Sequence, residues 1–186
     1  MLDERIARSR AAGLSTQVLG ALGAVLILLS RPAVADAPTD CTVVGYGGSG
    51  TSAAPYLVSS LDQLQCIGAD RNGDGQVLDE LDDAYELTSD IDASETATWN
   101  GGAGFEPIGE DYTYLFSGTF DGNGHTISGL TIDRGGDTHV GLFGYVGRAG
   151  AVRRVGLEGG SVTGDVNVGA LVGYSRGTVE NSYATV

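Results

Sequence analysis

Lysine is absent from all 186 residues, so each of the ten basic residues is an arginine. Histidine occurs only at 125 and 139 and cysteine only at 41 and 66. The two histidines do not form a His-Glu-x-x-His pair, so that zinc-hydrolase signature is missing. Two thiols with no histidine nearby are too few for a structural zinc site. Long apolar runs are also scarce. The one present, Val18 to Leu29, has twelve residues, fewer than the about 20 that span a hydrocarbon core. Four prolines and one tryptophan stand against 31 glycines, a composition that could signal disorder. Disordered chains lack regularly spaced Val, Ile, Leu and Phe, however, and here these recur throughout, so the chain is expected to fold.

The short apolar run reads as part of a leader. Arg5, Arg8 and Arg10 precede it, and Arg31-Pro32-Ala33-Val34-Ala35 follows with small residues at the two positions that signal peptidase reads. Residues 1–35 are therefore expected to be a secretory signal peptide, leaving no membrane span in the mature chain. Six arginines and 22 acidic residues then remain, a formal charge of −16. Such a surface repels phosphate backbones and anionic headgroups, which argues against nucleic acid and makes cations the favoured small partners. The same charge also serves solubility, or suits a salt-rich habitat. In an exported chain Cys41 and Cys66 read as a disulfide. Closing a loop of that length stabilises a fold by about 3 kcal/mol on the chain-entropy model.

The organising feature is an internal repeat. Gly124-His-Thr-Ile-Ser-Gly-Leu-Thr-Ile132, Gly150-Ala-Val-Arg-Arg-Val-Gly-Leu157 and Gly177-Thr-Val-Glu-Asn-Ser-Tyr-Ala184 share a Gly-led turn followed by apolar or small residues. They align Ile127, Leu130 and Ile132 with Val152, Val155 and Leu157, then with Val179, Ser182 and Ala184. In phase with them, Val140-Gly-Leu-Phe-Gly-Tyr145 recurs as Val168-Gly-Ala-Leu-Val-Gly-Tyr174 with one residue inserted. Periods of 20 to 50 residues indicate solenoids, propellers or arrays. Alternating pairs such as Leu130/Ile132 have the period of a strand with one buried face, and no helical period persists over ten residues in 105–186. Units shorter than a propeller blade, with about three strands each, fit turns of an all-β parallel β-helix.

Residues 36–104 read as an N-terminal capping region with an acidic loop. Thr42 to Val44 and Tyr56 to Val58 are expected strands. Ser60 and Gln63 form a capping-box pattern ahead of Leu61, Leu64 and Ile67, which predicts a short helix of about two turns. Tyr85 to Thr88 and Asp90 to Asp92 read as strand and turn. Residues 105–186 hold the repeats, which stop inside a unit at Val186. That ending predicts either a fragment or self-association through the open C-terminal turn.

Several stretches resemble the GLUG-repeat proteins of bacterial and archaeal surfaces, which are related to filamentous-haemagglutinin-like adhesins. They are Tyr85-Glu-Leu-Thr-Ser-Asp-Ile-Asp92, Phe105-Glu-Pro-Ile-Gly109, Phe116-Ser-Gly-Thr-Phe-Asp-Gly-Asn-Gly-His-Thr-Ile127, Val140-Gly-Leu-Phe-Gly144, Gly169-Ala-Leu-Val-Gly-Tyr174 and Asn181-Ser-Tyr-Ala-Thr185. The resemblance implies a right-handed β-helix in a secreted protein associated with adhesion, and it brings no catalytic residues with it.

Among candidate sites, Asp70-Arg-Asn72-Gly-Asp74-Gly75-Gln76 matches the first half of an EF-hand calcium loop. The expected ligands are Asp70, Asn72, Asp74, the Gln76 carbonyl and Glu80, with Leu81 standing where a bidentate Glu belongs. Asp79, Asp82 and Asp83 lie close by, and an Asx-rich turn without metal is the competing reading. Gly45-Tyr-Gly47-Gly-Ser-Gly50 has the letters of a dinucleotide loop but precedes a strand, so it reads as a flexible loop. His125 sits in a Gly-rich turn with a structural role. Should the repeats carry polysaccharide-cleaving chemistry, Asp121, Asp133, Glu158 and Arg153 or Arg154 are the groups that could supply it. The leading expectation is a secreted or cell-surface, non-catalytic adhesin or scaffold that binds a glycan or a surface protein. A polysaccharide lyase or hydrolase and a purely structural spacer are the alternatives.

Overall fold

The computed structural model describes residues 36–38, 40–69 and 81–186. The leader assigned to residues 1–35 and the loop bearing Asp70, Asn72, Asp74, Gln76 and Glu80 lie outside the described residues. Within them the fold is all-β, with a little helix at the N-terminal side.

The first strands are β1 (Tyr56–Val58), β2 (Ala84–Leu87), β3 (Ile91–Asp92), β4 (Thr119–Asp121), β5 (Thr126–Ser128), β6 (Thr131–Asp133), β7 (Thr138–Val140) and β8 (Phe143–Val146). They are followed by β9 (Ala151–Arg153), β10 (Gly156–Glu158), β11 (Ser161–Thr163), β12 (Val166–Val168), β13 (Val172–Ser175), β14 (Thr178–Glu180) and β15 (Tyr183–Thr185). Left-handed backbone at Gly124, Gly129, His139, Arg154, Gly160, Asn167 and Asn181 bends the chain within or between these strands. Glycine and asparagine occupy most of those positions because they meet little steric penalty there.

Every ladder between these strands is parallel. From β4 to β8 each strand joins a different sheet. Strands β9 to β13 revisit those five sheets in the same order, and β14 and β15 begin again with the first two. Five strands thus form per pass where the repeat spacing predicts about three. Gly-rich stretches read as bends in sequence, yet Gly141 to Val146 supplies β8. A Cβ on Gly144 would lie 2.3 Å from the Gly109 carbonyl oxygen, so glycine there serves close backbone approach.

The second repeat has the predicted register, with Val140 opposite Val168 and Tyr145 opposite Tyr174. Val152 is opposite Val179 and Leu157 opposite Ala184, also as predicted. The first alignment needs correction. Val152 lies opposite Phe120, and Leu157 opposite Ile127. The corner through Gly122 and Gly124 is two residues longer than the one through Arg154, and this displaces the local match.

Inward-facing residues form columns. Tyr56, Tyr85, Phe120, Val152 and Val179 stack in one sheet, and Ile91, Ile127, Leu157 and Ala184 in another. Tyr85, Phe116, Phe143 and Phe120 are fully buried, with ring centroids 5.0–6.4 Å apart at successive contacts. Each such side chain contributes about 1.5–3 kcal/mol by leaving water.

At the N-terminal side, helix α1 (Leu61–Gln65) starts at Ser60, whose hydroxyl accepts from the Gln63 N–H at 3.2 Å. Gln63 Oε1 reaches back to accept from the Ser59 N–H at 2.7 Å, one residue beyond the predicted partner. The helix buries Leu61 and Leu64 and is shorter than two turns. Cys41 to Val43 forms a 3-10 turn rather than a strand, because Asp40 caps it by accepting from the Thr42 N–H. A disulfide joins Cys41 to Cys66, with Cα atoms 5.6 Å apart, and fastens that turn to the end of α1.

Candidate functional site

Consecutive passes place loops from distant parts of the sequence side by side. One such pair, the segment from Glu106 to Asp111 and the corner from Arg134 to Val140, encloses an open groove of about 460 Å³. The first segment is held against β8, since the Ile108 N–H donates to the Leu142 carbonyl and the Tyr145 N–H to the Gly109 carbonyl. The second is fixed from the next pass, where the Asp165 N–H donates to the Asp137 carbonyl at 2.9 Å.

Arg134 organises the groove. Its side chain is 19% exposed, its Nε donates to the Phe105 carbonyl at 3.4 Å, and its other nitrogens lie 3.4 Å from Glu106 and 3.6 Å from Asp137. Asp111 accepts from the backbone N–H groups of Thr113 and Tyr114. With the Tyr114 bond foremost, these hold its carboxyl below the usual carboxylate range. His139 closes the other side with left-handed backbone, its Nδ1 3.2 Å from the Thr138 hydroxyl. Its ring lies 5.3 Å from Tyr145 and 5.6 Å from Tyr174, which are themselves 4.8 Å apart. The Arg176 guanidinium sits 5.9 Å from the Tyr174 centroid, and hydrogen bonding to the Tyr174 hydroxyl strengthens its hold on its proton. Tyr112 and Tyr114, in the loop leaving the groove, are exposed. The motif Phe105-Glu-Pro-Ile-Gly109 runs along one wall without marking it as a site, and the tyrosine-rich loop beside it is a further visible cue.

Of the groups considered for polysaccharide cleavage, Asp121, Arg153 and Arg154 come together, whereas the three carboxylates stand on separate sheets. Asp121 lies on β4, Glu158 on β10 and Asp133 on β6, which belong to three different sheets. Asp121 is also occupied. Its nearly buried carboxylate receives Arg153 Nε at 2.9 Å, Arg154 Nε at 2.8 Å, Arg154 Nη2 at 2.6 Å and the Asn123 N–H at 2.9 Å. Burial pushes this carboxyl up, but the Arg154 and Asn123 hydrogen bonds and the Arg153 charge outweigh it and keep the group below its ordinary value. Glu158 accepts from the Tyr183 hydroxyl, raising the tyrosine's pKa. The arrangement fastens successive passes to one another.

The remaining candidates have structural surroundings. His125 Nδ1 is 3.2 Å from Asp90, whose carboxyl is lowered first by the Thr126 N–H and then by His125. The Gly45 to Gly50 loop packs on β1, with the Leu57 N–H donating to the Gly47 carbonyl at 2.8 Å. Gly173-Tyr174-Ser175-Arg176-Gly177 spells a nucleophile elbow, a motif that requires a strand-to-helix turn. Here β13 runs into β14, and the Ser175 hydroxyl accepts from the Gly177 N–H at 3.2 Å, closing a corner between strands. Among the described residues no helix is long and apolar enough to cross a membrane.

No family model and no solved structure matches the chain. It is 43% identical over 149 residues to Halomucin of Haloquadratum walsbyi, an alignment covering 79% of this chain and 2% of that protein. It is 36% identical over 138 residues to a protein of Evansella cellulosilytica described as a Gly-rich membrane protein, covering 73% of this chain and 15% of the relative. The chain therefore spans a small part of the length of these curated relatives.

Proposed function

We propose that this chain is a right-handed parallel β-helix segment of a secreted or cell-surface protein, non-catalytic, and acting in adhesion or surface scaffolding by binding a glycan or a surface protein. The observation that carries the reading is the repeated return of the chain to the same five parallel sheets in register. Right-handedness is the hand favoured for parallel crossovers generally. The names of the relatives, Halomucin and a Gly-rich membrane protein, favour a surface-associated and non-enzymatic role. The Cys41–Cys66 disulfide suits an oxidising, extracellular setting, and the GLUG-type motifs agree with that setting. Calcium, where it binds, serves as a structural ion in the loop bearing Asp70, Asn72, Asp74, Gln76 and Glu80.

The test is retention of the purified chain on a panel of immobilised polysaccharides, with and without calcium, recording released sugar as well. Retention without product supports the reading, and released product overturns it. A purely structural spacer is the second reading, favoured by the small fraction of each relative that the chain covers. It predicts no retention on any member of the panel.

A further inference from the structure

We infer that the groove between the Glu106–Asp111 segment and the Arg134–Val140 corner holds a sugar ring of an oligosaccharide that carries no acid group. The inference rests on the glycan-binding reading above and gives it a location and a ligand class. A volume of about 460 Å³ lies within the roughly 300–1,000 Å³ span of small-ligand sites. The walls are mainly polar and planar. Arg134 offers guanidinium N–H groups held in place by Phe105, Glu106 and Asp137, while the carboxylates of Glu110 and Asp111 accept hydrogen bonds. His139 adds its Nε2, since Nδ1 already lies 3.2 Å from the Thr138 hydroxyl. Vicinal hydroxyls, each both donor and acceptor, match such a set, whereas an apolar ligand would leave it unpaired.

Two observations narrow the class. Four carboxylates line the groove against a single arginine, so phosphate, sulfate or uronate groups meet net repulsion. Yet among the described residues no three acidic, histidine or cysteine side chains are gathered closely enough to share a metal ion, which favours a polyol over a chelated cation. On one side the half-buried Tyr174 ring lies 5.6 Å from the His139 ring, while Tyr145 beside them is buried; on the other, Glu110 and Asp111 are followed by the exposed rings of Tyr112 and Tyr114. Aromatic rings of this kind pack against the C–H faces of neighbouring sugars and widen the site beyond one ring.

The stacked fold provides a clean probe. His139 and Asn167 occupy the same left-handed position in consecutive passes, with φ of 61° and 57°. His139→Asn therefore removes the imidazole while retaining a residue suited to that backbone. Titration calorimetry of the full chain with cellohexaose, chitohexaose and an alginate hexamer is the experiment, run on the wild type, His139→Asn and Glu110→Gln. The expected result is binding of at least one neutral hexasaccharide and none of the alginate hexamer. Both variants should weaken that binding at least tenfold, with melting temperatures within about 2 °C of wild type. Binding that is unchanged in both folded variants overturns the groove assignment and leaves the glycan-binding reading standing, as does alginate binding as tight as the neutral sugars. Failure of every hexasaccharide, together with failure of the polysaccharide panel, overturns both.

Discussion

The pass from β4 to β8 and the pass from β9 to β13 have the same strand order but differ in how they are buried. In the first, Phe120, Ile127, Ile132, Val140 and Phe143 are fully buried. In the second, Val152 and Leu157 are equally buried, because β14 and β15 lie over them. Val162 and Val172 are only half-buried and Val168 is 43% exposed, and no strand among the described residues pairs with the far side of β11, β12 or β13. Burial here depends less on residue type than on whether a next pass covers the position. That is the nearest-neighbour energetics of a stacked repeat.

The sharpest test of that contrast lies within one column. Phe120→Ala should cost about 3–5 kcal/mol, since it removes a buried ring touching Phe143. Val179→Ala, two passes further along the same column and 43% exposed, should cost less than about 1 kcal/mol. Urea unfolding of the two variants gives the comparison directly, and equal losses would break it.

The N-terminal region shows a different kind of stabilisation. Its short helix buries Leu61 and Leu64 in the common core, and the helix end is also joined covalently to the 3-10 turn, by a disulfide across a sequence separation of 25. Replacing Cys41 and Cys66 together by Ser should cost about 3 kcal/mol through the freed loop. Hydrogen exchange should rise around α1 before it rises in β4 to β10. Simultaneous loss of protection in both regions would show that the two unfold as one unit.

The outer face separates the passes by charge. Glu86, Asp121, Arg153 and Glu180 stand in register across four strands, and only Asp121 is nearly buried. Asp121→Asn should destabilise by about 1–3 kcal/mol at neutral pH, because it removes the charge that both arginines face. The native carboxyl titrates below its unfolded value of about 3.9, so its contribution is fully present above that pH and fades as pH falls through the native value. The gap between wild type and Asp121→Asn in thermal melts should therefore narrow below about pH 4. A gap constant down to strongly acidic pH would remove the carboxylate from the explanation.

The two repeats also differ in how readily sequence gives their register. Val140 to Tyr145 and Val168 to Tyr174 keep nearly the same letters at nearly the same spacing, so their pairing is legible. The disulfide is legible too, from two cysteines that have no metal-binding companions. The pairing of β4 with β9 is not, because Phe120 and Val152 share no surrounding letters and the corner after β4 is longer. Setting Val152 against Ile127 would place Arg153 beside Ser128. Only the true register brings it to Asp121, so the ion cluster is not legible from the local letters. The groove is hidden for a related reason. Its walls come from segments whose closeness depends on stacking, and although the motif Phe105-Glu-Pro-Ile-Gly109 covers part of one wall, nothing in its letters points to the other.

The smallest predicted effect isolates one backbone position. Arg154 has φ of 54° where the next pass has Asn181 at 51°, so an arginine occupies a conformation that asparagine adopts more easily. It is kept there by two contacts with Asp121, through Nε and Nη2. Arg154→Asn should thus relieve backbone strain while losing a solvent-screened ion pair, two opposing effects that leave a net change near zero. In an Asp121→Asn background the ion pair is already gone and only the relief remains, so the same substitution should become stabilising by about 0.5–1 kcal/mol. A double-mutant cycle from urea unfolding reads this change of sign. If Arg154→Asn is instead equally neutral in both backgrounds, Arg154 is held by packing along its side chain, and the column of ion pairs is not what ties the first pass to the second.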